Sequence, residues 1–244
     1  IFRTPPPIVN VQALAAGGDG AMMNAGDDFY LDRYQGIAPG AHLLNLRVLD
    51  DEGVGRTAGL INAIDWLFAN RTKYNIRVVN LSLGAPAIET WRNDPLCRAV
   101  RKLTAAGMVV VAAAGNNGKN ASGQKIYGAI HSPGNDPSVI TVGAANTLGT
   151  DRRDDDRVTT YSSRGPTRSY YTDAQGIKRY DHLIKPDLVA PGNLLVGAQA
   201  KGNEIVSENR QLALNNGADD ARQMMFTSGT SMATPIVSGT AALM

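Results

Sequence analysis

The chain has 244 residues, enough for one sizeable hydrophobic core. Hydrophobic residues make up 43% and charged residues 19%, the proportions of a globular domain and not of a disordered chain. With 24 basic against 22 acidic residues the net charge is +2, which gives no field for nucleic acid or an anionic membrane surface, and no stretch reaches the ~18 consecutive apolar residues of a membrane span. Cys97 is the single cysteine, which excludes an internal disulfide and a cysteine-based metal cluster.

In chain order, residues 1–10, IFRTPPPIVN, carry three consecutive prolines and are expected to form an extended arm without a signal-peptide layout. Residues 11–17 read as a short helix. A polar loop follows, GGDGAMMNAGDDFYLDRYQG, in which Asp19, Asn24, Asp27 and Asp28 offer hard oxygen ligands for calcium. Its spacing is not that of a dedicated calcium loop, so a solvated turn-rich loop is the stronger reading and a structural calcium ion the alternative.

HLLNLRVL, residues 42–49, is a short apolar run between turn signals, as expected of a buried strand. RTAGLINAIDWLFAN follows as an amphipathic helix with Leu60, Ile64, Leu67 and Phe68 on one face. Next come a strand in IRVVNLSLG, a helix in PLCRAVRKLTAAG and a strand in MVVVAAAG, then short strands in SVITVGAA and HLIKPDLVAPG. Cys97 falls in the second helix and reads as a small core residue. The segment between the last two strands mixes both charge signs and reads as a solvated surface loop. Short β-branched runs alternating with amphipathic helices point to βαβ units: a three-layer α/β fold, mainly parallel sheet with helices on both faces. No repeat or linker divides the chain, so residues 1–244 read as a single domain.

In such sheets ligands bind beyond the carboxyl ends of the strands. There, AAAGNNG ends a strand with small residues and then supplies Asn116, whose amide can donate to a developing negative oxygen. SGTSMATP puts Ser231 where a helix begins, with free N–H groups and the positive end of the dipole nearby, and Pro235 is expected in the first turn. Taken alone, the TSMA string is read more economically as an N-cap on Thr230 or Ser231. A nucleotide-binding reading of AAAGNNG lacks both Gly-x-Gly-x-x-Gly and a P-loop lysine.

Taken together, SGTSMATP, AAAGNNG, NLSLG, GIAPGA, YSSRGP and KPDLVAPG occur in the order and approximate spacing of the subtilisin-like serine proteases, and over about 200 residues the chain resembles that family, the subtilases. The resemblance implies a serine endopeptidase acting on a polypeptide substrate, with Ser231 as the attacking serine. It implies Asn116 and the Ser231 N–H as the oxyanion donors. Gly53, Val54 and Gly55 on one side and Ser82, Leu83 and Gly84 on the other would flank the substrate backbone. Ala113, Ala114 and Gly115 would wall the pocket for the side chain before the cleaved bond. Asn117 carries no charge, so no strong basic preference is expected there. The chemistry needs no cofactor, and most of the family is exported, so a secreted or extracytoplasmic location is expected.

The family orders its triad Asp, His, Ser. Its Asp-Thr/Ser-Gly turn and its His-Gly-Thr-His string are both missing here. If VQALAAGGDG corresponds to the helix after the histidine motif, Pro7 stands at the histidine position. His42 reads as a strand residue, His131 and His182 as surface residues, and Asp50 and Asp51 as solvated loop residues. Three explanations stand: a fragment, a misread N-terminus, or a true pseudoprotease that keeps a peptide groove without the base. The chain stops inside the serine helix, and the family's aspartate strand is central in its sheet. A partial peptidase domain, incomplete at both ends and completed by a missing N-terminal part, is therefore expected.

Overall fold

The computed structural model describes residues 8–10, 36–50, 53–214 and 223–244. The expected helix at 11–17, the proposed calcium ligands Asp19, Asn24, Asp27 and Asp28, and the positions Pro7 and Asp51 lie outside them.

The elements are β1 (Ile8–Asn10), β2 (Leu43–Asn45), α1 (Thr57–Asn70), β3 (Val78–Leu81), β4 (Ala85–Pro86), α2 (Pro95–Ala105), β5 (Val109–Ala113), β6 (His131–Ser132), β7 (Ile140–Asn146) and β8 (Arg157–Val158). They continue with β9 (Tyr170–Thr172), β10 (Lys178–Tyr180), β11 (Leu188–Pro191), β12 (Leu195–Ala198), α3 (Glu204–Glu208), β13 (Ala213–Leu214), β14 (Met224–Thr227) and α4 (Thr230–Leu243). Among the described residues the main sheet runs β11-β7-β5-β3-β1-β2, parallel throughout, with β8 added antiparallel to β7. Small antiparallel pairs, β4–β6 and β9–β10, and a β12-β14-β13 sheet sit beside it.

The sheet is buried on both faces, and the strand period of two sorts its residues into two cores. Val79 and Leu81 of β3 and Val110 and Ala112 of β5 join Leu60, Ile64 and Leu67 of α1 and Leu96, Ala99, Val100 and Leu103 of α2. Val78 and Val111, which point the other way, join Val142 and Ala144 of β7 and Ala233 and Ala242 of α4. Helices therefore cover both faces, and the α/β three-layer expectation is met.

In α1 the buried face is Leu60, Ile64 and Leu67, at i, i+4 and i+7. Phe68, expected on that face, is instead 37% exposed with the Arg71 guanidinium 4.3 Å over its ring. One helical step beyond Leu67, about 100°, carries it past the edge of the stripe. In α2 the Asp94 carboxylate caps the first turn, accepting from the N–H groups of Leu96 at 2.8 Å and Cys97 at 3.0 Å, with Pro95 opening the helix. Cys97 is fully buried beneath this cap, and burial pushes its thiol pKa well up, the behaviour of a core residue.

Two expectations are corrected. Ile8–Asn10 is not an unpaired arm: β1 pairs in parallel with β2 and with β3, filling the central place expected to stand empty. The physical reason is that β2 and β3 each present a row of backbone donors and acceptors that must be satisfied, and the Ile8–Val9 pair, following the prolines, suits an extended strand. Pro235, expected in the first turn, is the sixth residue of α4, because the helix is capped by Gly229. At φ +152° that cap adopts a backbone conformation open to glycine.

The contrast on α1 is open to test. Leu67→Ala is expected to cost ~2–5 kcal/mol and Phe68→Ala less than ~1 kcal/mol, read as shifts in the urea midpoint of the 244-residue chain.

Candidate active site

The C-terminal ends of β3 and β5 converge on the first turn of α4. Proline at 235 has no N–H, so the Ser231 carbonyl four residues earlier cannot be bonded within the helix. The Ser82 hydroxyl takes that place, donating to the Ser231 carbonyl at 2.8 Å, while the Ser231 hydroxyl donates to the Ser82 carbonyl at 2.9 Å. The Asn80 amide N–H in turn donates to the Ser82 hydroxyl at 2.9 Å, and the Ser238 hydroxyl donates to the Asn80 side-chain oxygen at 2.9 Å. Asn80 is the one polar side chain of β3, and this chain of bonds satisfies it where an apolar strand passes under α4.

Asn116 follows Gly115, whose φ of +102° turns the chain out of β5. The Asn116 side-chain oxygen accepts from the Thr230 N–H at 2.9 Å and from the Thr230 hydroxyl at 3.0 Å, and that hydroxyl also accepts from the Gly115 N–H at 3.2 Å. With its oxygen held twice, the amide is fixed with its NH2 end as the free donor. Both Asn116 and Ser231 line a cavity of ≈ 300 Å³. The cavity therefore has, at one end, a hydroxyl, an amide donor and the N-terminus of α4.

The rest of that cavity is lined by Leu83, Gly84, Ala113, Gly115, Asn117 and His131. Ala114, expected with Ala113 and Gly115, is fully buried and does not line it; the alternation of β5, carried one residue further, turns its side chain to the core. A second cavity of ≈ 330 Å³ lies between Gly53 and Gly55 on one side and Ser82, Leu83 and Gly84 on the other, over Leu60 and Leu96. The turn carrying Gly53 is tied by the Asp50 N–H donating to the Val54 carbonyl at 2.9 Å and by the Val54 N–H donating to the Asp50 carboxylate at 2.8 Å. Val54 itself is exposed. The two cavities share Leu83 and Gly84, so Gly53, Gly55 and Ser82 line one side of these residues and Ala113, Gly115, Asn116 and Asn117 the other.

His131 is expected at the surface. It is instead half-buried at the cavity wall, held in β6 by its N–H donating to the Ala114 carbonyl at 3.0 Å, and its Nε2 is 3.0 Å from the Asn117 amide nitrogen. Burial lowers its pKa. No local pattern marks this histidine; the antiparallel β4–β6 pairing, Pro86 opposite His131, brings it in from 45 positions along the chain. His42 and His182 are exposed, and His182 packs against Tyr180. None of the three makes a hydrogen bond to the Ser231 hydroxyl, whose partner is the Ser82 carbonyl. Among the described residues no group of three or more His, Cys, Asp or Glu could hold a metal ion, and no helix is long and apolar enough to cross a membrane.

Fold and site together define an α/β protein with a serine at the head of a helix, opposite an asparagine donor, beside a groove between strand ends. The Subtilase family model matches residues 11–244, and the chain belongs to that family. It is 34% identical over 250 residues to the serine protease AprX of Bacillus subtilis, covering 99% of this chain and 50% of that protein. Subtilisin E of the same species is 40% identical over 111 residues, covering 46% of this chain and 26% of that protein. Among solved structures, sphericase superposes with a TM-score of 0.59 at 28% identity, covering 84% of this chain and 54% of that one. The chain spans about half the length of the curated relatives it matches.

The lowered pKa of His131 has a signed consequence. Below the ordinary imidazole pKa of ~6.5 the unfolded chain takes up a proton that the folded state resists, so this group's contribution is fully present above that pH and is lost as pH falls through the folded value. Replacing it in His131→Gln is expected to flatten the decline of the urea midpoint between about pH 7 and pH 5, relative to the unsubstituted chain.

Proposed function

We propose that the parent protein is a serine endopeptidase and that this chain carries the half of its site that holds the substrate and stabilises charge. The observation that supports this best is the convergence at the head of α4: the Ser231 hydroxyl, its own N–H, and an Asn116 amide fixed by Thr230. In the proposed reaction the Ser231 oxygen attacks a peptide carbonyl carbon as a base removes its proton. The Asn116 NH2 and the Ser231 N–H bind the oxyanion. The C–N bond then breaks as the amine takes up a proton, and water releases the acyl group from Ser231. Segments 53–55 and 82–84 would pair with the substrate backbone as added strands, and Ala113 and Gly115 would wall the pocket for the residue before the scissile bond.

The base and its carboxylate are assigned to sequence beyond these residues, because His42, His131 and His182 are the chain's only histidines and none bonds Ser231. The partner this requires is the N-terminal part of the same domain. A second reading, a peptide-binding domain without catalysis, is favoured by one observation: the Ser231 hydroxyl is engaged by a carbonyl, which cannot take its proton. A structural calcium ion on the loop with Asp19, Asn24, Asp27 and Asp28 is also proposed, on ligand chemistry alone. An extracytoplasmic location is proposed on family membership alone.

The 244-residue chain alone is expected to label slowly and substoichiometrically with a fluorophosphonate probe. Rapid stoichiometric labelling of Ser231 would show that a base is present after all. In a longer chain that carries His-Gly-Thr-His upstream, labelling and peptide hydrolysis should appear and be abolished by Ser231→Ala. Asn116→Ala should lower turnover by ~10²–10³, the loss known for that donor in subtilisin itself and carried over from it. A longer chain that stays inert, with Ser231 unreactive, would decide for the binding domain.

A further inference from the structure

We propose that His131 is a specificity-determining residue of the groove: its imidazole selects, in the cavity beside Ser231, a side chain ending in an acceptor oxygen, that of glutamine or glutamate, over an aliphatic or a basic one. The inference rests on reading that cavity as the place of the residue before the scissile bond.

The ring lies across the gap between the ends of β3 and β5. A Cβ built on Gly84 would come within 2.9 Å of the His131 Cβ, and one on Gly115 within 2.8 Å of its Cδ2, so both strand ends need glycine to admit the ring. The position is rigid from behind. The Asn135 N–H donates to the His131 carbonyl at 3.0 Å, the Asn135 amide donates to the Ser169 hydroxyl at 3.3 Å, and the buried Asp136 carboxylate stands 3.1 Å from Nε of Arg101. The His131 backbone thus belongs to the fixed wall, and Gly84 and Gly115 lie close on two sides of its side chain.

Its chemistry is polarised by Asn117. An amide NH2 donates, so the 3.0 Å contact makes Nε2 the acceptor and leaves the proton on Nδ1. Nδ1 is on the Gly84 side of the ring, 3.5 Å from where a Gly84 Cβ would stand, and among the described residues no acceptor meets it. That nitrogen is next to the space a Gly84 Cβ would fill, and Gly84 and His131 both line the cavity. Leu83 and Ala113 supply apolar walls, and no carboxylate lines the cavity to receive a lysine or arginine. An aliphatic guest would bury the Nδ1–H without a partner, a loss of roughly tenfold or more in affinity. A carboxamide or carboxylate oxygen satisfies it, and an amine meets donor with donor.

The test needs no turnover. N-acetylated tetrapeptides with a free terminal carboxylate, differing only in a last residue of Gln, Glu, Leu or Lys, are titrated calorimetrically into the 244-residue chain. The Gln and Glu peptides are expected to bind at least about tenfold more tightly than the Leu and Lys peptides. With ¹⁵N-histidine labelling, the Nδ1 resonance of His131 is expected to shift with the Gln peptide and to stay put with the Leu peptide. In His131→Leu the order should invert toward Leu. His131→Ala, checked with it by circular dichroism, gives the same loss of Gln preference should the leucine variant fail to fold. Equal affinities for all four peptides, or an order unchanged by the substitution, would overturn the inference and leave the groove reading intact. Failure of every peptide to bind would overturn both.

Discussion

The site depends on a helix that cannot complete its own first turns. Pro235 removes the N–H that would bond the Ser231 carbonyl, and the Ser82 hydroxyl supplies the missing donor from the end of β3. The same two residues bond in the opposite sense, hydroxyl of Ser231 to carbonyl of Ser82. A serine at the start of an ordinary helix would be free in azimuth and register. Here the first turn of α4 is fixed to the strand that borders the groove, and Asn80 and Ser238 extend the tie into the core. A buried polar network of this kind is stabilising only when every member is satisfied, and here each named group has a partner.

The donor side of the site is held independently. Thr230 fixes Asn116 through two bonds to its oxygen, and it also accepts from the Gly115 N–H, so the turn out of β5 and the head of α4 share one hydroxyl. Removing a base from such a site would not disturb these contacts, because none of them passes through a histidine. The pocket wall is likewise fixed, by His131 between Gly84 and Gly115 and by the buried turn at Asn135 and Asp136. The head of α4, the turn out of β5 and the cavity wall are therefore held by separate sets of contacts.

Much of the fold was legible because the sheet is parallel and covered on both faces. The runs that became β3, β5 and β7 are continuous, β-branched and bounded by glycine, a pattern with few other structural outcomes. Ser231 and Asn116 were legible through the order of six segments and not through either string alone. What was missed was set by pairing between distant residues. Nothing in the residues around His131 signals that β4, 45 positions earlier, will pair with it and draw it to the cavity wall. Phe68 is a local exception, one helical step past Leu67 and outside the buried stripe. Thr230 or Ser231 is the cap the string suggests, but the helix is capped by Gly229, which sets Pro235 one or two positions further in. The central β1 was hidden by the prolines before it, while the need for a strand there came from its neighbours.

That central strand sharpens the question of the missing base. The family's aspartate strand is expected at the centre of the sheet, and Ile8–Asn10 takes a central place here. Three residues are paired there on each side, a small ladder against a sheet otherwise anchored by two cores. Ser82, Asn116 and Ser231 lie just past β3, just past β5 and at the start of α4, and the bonds that fix them do not involve β1. The serine, the asparagine and the cavity they share are thus held by bonds that do not depend on which strand fills the centre of the sheet, and the Ser231 hydroxyl is engaged by the Ser82 carbonyl.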